Sequence, residues 1–452
     1  MAPRWVWIAC LVGAAELIIP WKLLGSDAYM ALVGGRLVAR HGLPHVDTLA
    51  VVTNGTPWVD QQWLGQLEIY GAFCLGGLFG AILFHTLLVG STAAIGAAFA
   101  EKRGASMNAL LLAGIAMVLV DSEYVIVRAQ SISMVCFAAT LVSMRNETKR
   151  AHFVWPVLAL WANVHGGVLV GCGVVALRGV LDLAKKKLEG AIFVAGAIAA
   201  PFVTPYAREM PAYFARYASH VGATSEFPVI EWLPPKGDFT AYGLALAVAL
   251  LIVVPWVRRR EKPEWYEAIV LVACAAAGLR AARNMVWFGV AIVTYGPALF
   301  DRVEKIRTHE NRVVNGFAKL APIALLAGIV RLAFSSQTTL EQMYPTGALE
   351  PLRAAMKEHP EARIVASDIY ADWILFRAPE TEGRIEIDAR LELLGRGQAR
   401  DLGRFLFGGD TTLYPDARLA LISKKDHPRL AEKLRGAGNV VWESGDALLV
   451  WR

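Results

Sequence analysis

Residues 5–24 read WVWIACLVGAAELIIPWKLL, and residues 25–41 follow as GSDAYMALVGGRLVARH. The first stretch is long and apolar enough to cross a bilayer. It has no small-residue cleavage site and carries Glu16 just past its midpoint, so it reads as a retained span rather than a signal peptide. The second stretch brings in Asp27 within a few residues of the span's outer end and runs on as an amphipathic segment to His41. A polar loop, His45 to Gln62, comes next. A carboxylate held at the membrane surface beneath such a loop suits chemistry on a lipid-linked substrate.

The composition agrees with a membrane protein: 56% of residues are hydrophobic and only 19% charged, with a mean hydropathy of +0.43. Apolar runs predict spans near 5–24, 76–99, 106–120, 129–144, 152–164, 166–181, 190–203, 239–257, 265–282, 284–300 and 313–334, eleven give or take one or two. Basic residues fall in every second connection: Arg4; Lys102 and Arg103; Arg145, Lys149 and Arg150; Arg178 and Lys185–Lys187; Arg258–Arg260 and Lys262; Arg302, Lys305, Arg307 and Arg312. The positive-inside rule then makes the N-terminus cytoplasmic and puts the loops of Asp27, Arg128, His165, Glu231 and Arg283 outside. The expected place is the plasma (inner) membrane, multi-pass.

The basic pI of about 9.0 does not call for nucleic acid. From residue 335 on there are 16 Lys and Arg against 18 Asp and Glu, so the excess positive charge sits in the cytoplasmic loops of the membrane part, not on a soluble face. All five cysteines lie in apolar segments with no CxxC, which argues against disulfides or a thiolate metal site. After the polar linker Ser335–Glu341 the pattern changes. Arg363–Ala366, Arg384–Asp388, Leu419–Ser423 and Val440–Trp442 read as strands. Leu349–Lys357, Gly397–Phe407 and Arg429–Arg435 read as helices. The expected fold class is therefore an α-helical polytopic membrane protein, residues 1–334, with an amphipathic first outer loop 25–75. A small extracytoplasmic α/β domain with a largely parallel sheet follows, residues 335–452, large enough to bury its own core.

Each candidate residue has a plain reading beside a chemical one. Leu32, Leu37 and Val38 suit a helix lying on the membrane with Arg36 and Arg40 toward lipid phosphates. Asp47 and Asp60 read most simply as acids of a solvated loop. Arg128 and Arg283, at outer ends of spans, either anchor helices at headgroups or bind phosphate with the fork geometry of arginine. His165, in Asn-Val-His-Gly-Gly, reads first as a structural histidine and second as a donor ligand. Trp232, beside Glu231, suits interfacial anchoring or sugar stacking. Glu16 within the bilayer needs a partner in the bundle, and His85 is read likewise.

The spacing from Asp27 through Gly34, Gly42 and Pro44 to Asp47, followed by PWVDQQWL at 57–64, resembles the first outer loop of bacterial GT-C-type glycosyltransferases, more narrowly relatives of the dolichyl-phosphate-mannose transferases. VRAQ at 127–130, LWANVHGG at 160–167, TPY at 204–206, IEWLPP at 230–235, AARN at 281–284, YP at 344–345, SDIYADWILF at 367–376 and IDAR at 387–390 agree in order. Two departures stand out: many members have Glu-Trp where Gln62–Trp63 stands, and Ser26 and Ala28 flank Asp27 where a second acid is common. The resemblance implies a GT-C-like fold and inverting transfer of a sugar from a polyprenyl-phosphate donor to a glycan, lipid or protein acceptor at the outer face. It implies Asp27 as general base, and Arg128, Arg283 and His165 at the donor phosphate. Asp60, Glu231 and Trp232 are the candidate contacts of acceptor or sugar. The partners are then the lipid-linked sugar, its acceptor and membrane lipids. No cofactor follows from the residues, and participation of a divalent cation, Mg²⁺ or Mn²⁺, stays open. The other classes are a silent relative that binds or scaffolds sugar-lipids, and a transporter. Against a transporter, the polar residues cluster in outer loops and no pair of broken spans repeats between halves.

Overall fold

A computed structural model describes residues 3–121, 126–145, 148–221, 230–235, 239–259, 264–303 and 312–452. Of the residues singled out above, Arg260, Lys262, Lys305 and Arg307, and the side chains of Lys149, Arg258, Arg259 and Arg312, lie outside the described residues.

Each of the eleven apolar runs is helical. The helices are α1 (Arg4–Glu16), α2 (Ser26–His41), α3 (Trp63–Lys102), α4 (Met107–Asp121), α5 (Gln130–Arg145), the single turn α6 (Thr148–Ala151), α7 (Val154–Val164), α8 (Val168–Ala184), α9 (Glu189–Ala199), α10 (Met210–Val221), α11 (Phe239–Arg259), α12 (Trp265–Arg280), α13 (Met285–Phe300) and α14 (Arg312–Ala333). By length and composition alone, α3 and the stretch Phe239–Val257 suffice to cross a membrane; α4, α7 and Glu189–Phe202 are shorter apolar helices.

Two boundaries differ from the sequence reading. The first run is not one helix: α1 ends at Glu16, and Pro20, which has no N–H to continue the ladder, opens a 3-10 turn over Pro20–Leu23. The second run begins thirteen residues early, because α3 joins an amphipathic arm to the apolar stretch across a kink at Gly76 and Gly77. Gly77 has φ +61°, a conformation that costs glycine little.

Within the bundle, α1 packs on α3 and α14, α13 on α4, and α8 on α9. Its core includes Phe137, Trp161, Trp287 and Phe288. Glu16 finds its partner there: Oε2 lies 3.3 Å from His85 Nε2, and His85 Nδ1 lies 2.8 Å from Ser131 Oγ. Outside, Leu87, Ile115, Leu119, Leu160, Ile192, Leu246, Leu250, Ile323 and Leu326 stand exposed, apolar surface of the kind that suits a lipid environment.

The tail adds α15 (Leu349–Glu358), β1 (Ile364–Ala366), α16 (Asp368–Arg377), α17 (Arg396–Leu406), β2 (Leu419–Ser423), α18 (Pro428–Ala437), β3 (Asn439–Ser444) and β4 (Ala447–Trp451). The sheet runs β1-β2-β4-β3. Only β1 and β2 are parallel; β4 is antiparallel to both β2 and β3, so the sheet is mixed and not largely parallel. The reason is the short turn at Gly445 and Asp446, which closes a hairpin between β3 and β4. Arg384–Asp388 is no strand of its own, although Ile385 forms single parallel bridges with Ile364 and with Ala50 of the first loop.

Period-two alternation divides the sheet residues between two cores. Val365, Ala420, Ile422, Leu448 and Val450 face α17 and α18 within the tail. Ile364, Ala366, Leu419, Leu421 and Leu449 belong to a second core that also holds Tyr29, Leu32 and Val33 of α2 and Ile69 of α3. The tail's second core is thus shared with the first loop. That corrects the reading of α2 as a helix facing lipid. Leu32 and Val38 are buried, and Arg36 Nη1 and Nη2 donate to the Phe376 and Leu375 carbonyls at 3.0 and 2.7 Å, capping the C-terminal turn of α16. Gly34 and Gly35 permit the contact of α2 with α3, since a Cβ there would sit 1.8 Å from Gln66 Oε1 and 2.3 Å from the Gln66 carbonyl.

Candidate active site

Between the bundle and the tail lies a cavity of about 910 Å³. Asp27, Asp60, Arg128, His165, Glu231, Trp232 and Arg283 all line it. They arrive from separate parts of the chain. Asp27 is in the first turn of α2, where a helix N-terminus favours a negative charge. Arg128 precedes α5, on a segment tied to the first run by Val127 N donating to the Leu23 carbonyl at 2.9 Å. Arg283 is in the 3-10 turn Ala282–Asn284, and Ala282 N donates to the Leu233 carbonyl at 2.9 Å, which joins this turn to that of Glu231.

These groups form a chain of charges. Arg128 Nη1 is 2.8 Å from Asp27 Oδ2 and 3.0 Å from Glu231 Oε2; Glu231 Oε1 is 3.0 Å from Arg283 Nη1. Arg283 also lies over the Trp232 ring, 4.6 Å from its centroid. Burial works against the Arg128 charge, yet Glu231 and Asp27 outweigh it and keep the guanidinium protonated. Burial pushes Glu231 up, and Arg283 and Arg128 more than reverse that, so its carboxyl stays below the usual range. Arg128 is 6% exposed and held by carboxylates, the surroundings of a buried ion-pair member and not of a headgroup anchor.

His165 stands at the break between α7 and α8. Its Nδ1 accepts from Gly167 N at 2.9 Å, which leaves Nε2 to carry the proton of the neutral ring. Burial, with Arg283 and Arg128 nearby, pulls its pKa down to about 3, so at neutral pH it offers a hydrogen bond without charge. Gly167 is required here, because a Cβ would stand 2.8 Å from the Trp287 ring.

Asp60 departs from the solvated-loop reading: it is 3% exposed, with Oδ1 accepting from Gln62 N at 3.3 Å and Gln66 Nε2 at 3.1 Å. Burial raises its pKa to about 7. Asp47 is wholly buried and takes Leu49 N at 2.9 Å, Thr53 Oγ1 at 2.5 Å and Arg390 Nη2 at 2.7 Å. Loops hold their own backbone this way when they fold into a core. Sequence reasoning left out the tail's share of the cavity wall: Asp368, Asp388, Arg390, Glu392 and His427. The adjacent acid and base in IDAR at 387–390 were the available signal. Arg390 pairs with Asp388 and Asp47 and lies 4.3 Å from the Trp58 centroid. Among the described residues no group of three or more His, Cys, Asp or Glu is placed to hold a metal ion.

The Asp60 pKa has a measurable consequence. An unfolded aspartate titrates near 3.9, so between about pH 4 and 7 the folded chain binds the extra proton and stability falls as pH rises. Asp60→Asn cannot ionise and escapes that loss. Its unfolding temperature in detergent should exceed the parent's by more at pH 8 than at pH 5. Parallel pH profiles for the two proteins would contradict the burial argument.

No protein-family model and no curated protein matches this sequence. Solved structures do resemble it. ArnT from Cupriavidus metallidurans, bound to undecaprenyl phosphate, superposes with a TM-score of 0.54 at 13% identity, covering 100% of this chain and 98% of that one. The oligosaccharyltransferase of Archaeoglobus fulgidus, in its apo form, gives 0.52 at 12% identity over 93% of this chain and 69% of that one. Both are GT-C glycosyltransferases of the membrane, and this chain has their fold.

Proposed function

We propose that the protein is a membrane glycosyltransferase that moves a sugar from a polyprenyl-phosphate donor to an acceptor hydroxyl at the outer face, with inversion. The observation that carries this reading is the meeting of Asp27, Arg128 and Arg283 on one cavity wall. The likeness in fold to ArnT, a protein seen with undecaprenyl phosphate, supports the donor class.

In this mechanism the acceptor oxygen forms the new bond to the anomeric carbon while the bond from that carbon to the phosphate oxygen breaks. The electron pair leaves with the phosphate, and the acceptor proton passes to Asp27. The departing phosphate gains a negative charge as its bond breaks. Arg128 and Arg283, fixed beforehand by their ion pairs, stabilise that charge best in the transition state. Neutral His165 donates to a phosphate or sugar oxygen. Trp232 offers the sugar an apolar face, and Asp60 and Glu231 accept from hydroxyls.

Arg283→Ala should weaken donor binding by about 1.5–3 kcal/mol, the range for hydrogen bonds to charged groups. Titration of the nanodisc-embedded protein with undecaprenyl phosphate reads this directly. Unchanged affinity would remove Arg283 from the donor site. Donor binding with no transfer to any acceptor would favour the silent sugar-lipid binder.

The same reading has residues 1–334 spanning the membrane eleven times, the N-terminus cytoplasmic and residues 335–452 outside. The alternating basic connections support it. Reporters fused at Lys186 and at Lys425 should label opposite faces. Labelling on one face would refute the topology.

A further inference from the structure

Glu231 spans two guanidinium groups with its two oxygens, Oε2 at 3.0 Å from Arg128 Nη1 and Oε1 at 3.0 Å from Arg283 Nη1. A phosphate offers the same pair of acceptors at nearly the same separation, so the two anions suit the same N–H donors. We propose that Glu231 is a built-in surrogate for the donor phosphate, which must displace it from Arg128 and Arg283 in order to bind. This rests on the donor-phosphate reading of the site.

Two features make the exchange physically reasonable. The arginine side chains are only 8% and 20% exposed, and two such cations side by side need a counter-charge to stay in place. Glu231 supplies it and keeps both forks aimed at one point, so the ligand does not have to order them. The turn itself is held by the Ala282–Leu233 hydrogen bond and by Arg283 over Trp232, so rotation about the side-chain bonds of Glu231 is enough to free the donors.

The surrogate has consequences for selectivity and for chemistry. An anion enters only if it binds the arginine pair better than a carboxylate already in position. Phosphate, with more charge and more acceptor oxygens, meets that condition, whereas an uncharged sugar does not. Once displaced, Glu231 no longer feels the two cations that hold its proton affinity down. Its carboxylate is then available to the hydroxyls of sugar or acceptor.

The test is binding of undecaprenyl phosphate to the full chain in nanodiscs, comparing the parent with Glu231→Gln and Glu231→Asp. Removing the competing charge should tighten binding about tenfold in Glu231→Gln, the equivalent of one charged hydrogen bond. The shorter Asp, unable to span both arginines, should fall between. With an acceptor present, Glu231→Gln should lower both KM for the donor and kcat, because product phosphate also leaves more slowly. Equal or weaker binding by both variants, with unfolding temperatures like the parent's, would overturn the proposal and make Glu231 a fixed clamp. If neither parent nor variants bind undecaprenyl phosphate, the donor reading falls with it.

Discussion

Asp27→Asn loses sugar transfer by about 10²–10⁴-fold while folding normally and still binding the donor, the loss expected when a general base is removed. Asn keeps the size of the side chain and one oxygen for Arg128, whose Nη1 lies 2.8 Å away, so the ion pair becomes a hydrogen bond and the wall keeps its shape. What disappears is the ability to take a proton. Asp27 is suited to that work because its side chain is 41% exposed to the cavity, whereas its neighbour Arg128 is buried. Asp47→Asn should hardly slow the chemical step, since Asp47 is wholly enclosed by Leu49, Thr53 and Arg390. Release of polyprenyl phosphate by purified variants is the measurement. Normal turnover by Asp27→Asn would take the base role from it and leave the enzyme class standing.

Arg390→Ala destabilises the protein by about 3–5 kcal/mol, the cost of breaking a buried ion pair by removing one partner. Arg390 is 5% exposed and holds Asp388 of the tail and Asp47 of the first loop. Its loss strands Asp47, which has no exposure to water, and removes the cation stacked on Trp58. A comparable change at Arg404, more than half exposed and paired with Asp401 and Asp410, should cost about 0–1 kcal/mol. Urea unfolding of both variants in the same detergent gives the contrast. Similar midpoints would show that the first loop and the tail are not joined through Arg390. The ion pair links cavity wall to fold, so Arg390→Ala should also lower donor binding in the fraction that remains folded.

The two arginines and Asp27 were legible because membrane insertion is a one-dimensional problem. Twenty apolar residues need a helix, basic connections mark one side, and polar residues left at the other ends of spans must gather near one surface. That put the loops of Asp27, Arg128, His165, Glu231 and Arg283 on one side; the resemblance to GT-C transferases added Asp60 and Trp232, and all seven line one cavity. The tail's strands at 364–366 and 419–423 were equally plain from their unbroken apolar runs, as both faces are buried.

What sequence by itself determined, then, was local: which runs are helices, which ends are polar, and which acids and bases stand at those ends. Tertiary structure decided everything that depends on a partner far along the chain. The run from Ala447 onward reads as strand only beside its neighbours, so β4 (Ala447–Trp451) and the antiparallel pairing were missed. Leu32 and Arg36 looked fit for lipid because an amphipathic pattern states that a helix has an apolar side without stating what covers it; α16 covers it. Asp47 and Asp60 looked solvated because the loop around them is rich in Gly, Pro, Asn and Thr, as a connecting segment is. Asp47 is held by Arg390, more than 300 residues away, while Asp60 is buried with Gln62 N and Gln66 Nε2 on its Oδ1. The bridging of Arg128 and Arg283 by Glu231 is of the same kind: each charge is visible in the sequence, and only folding brings them to 3.0 Å.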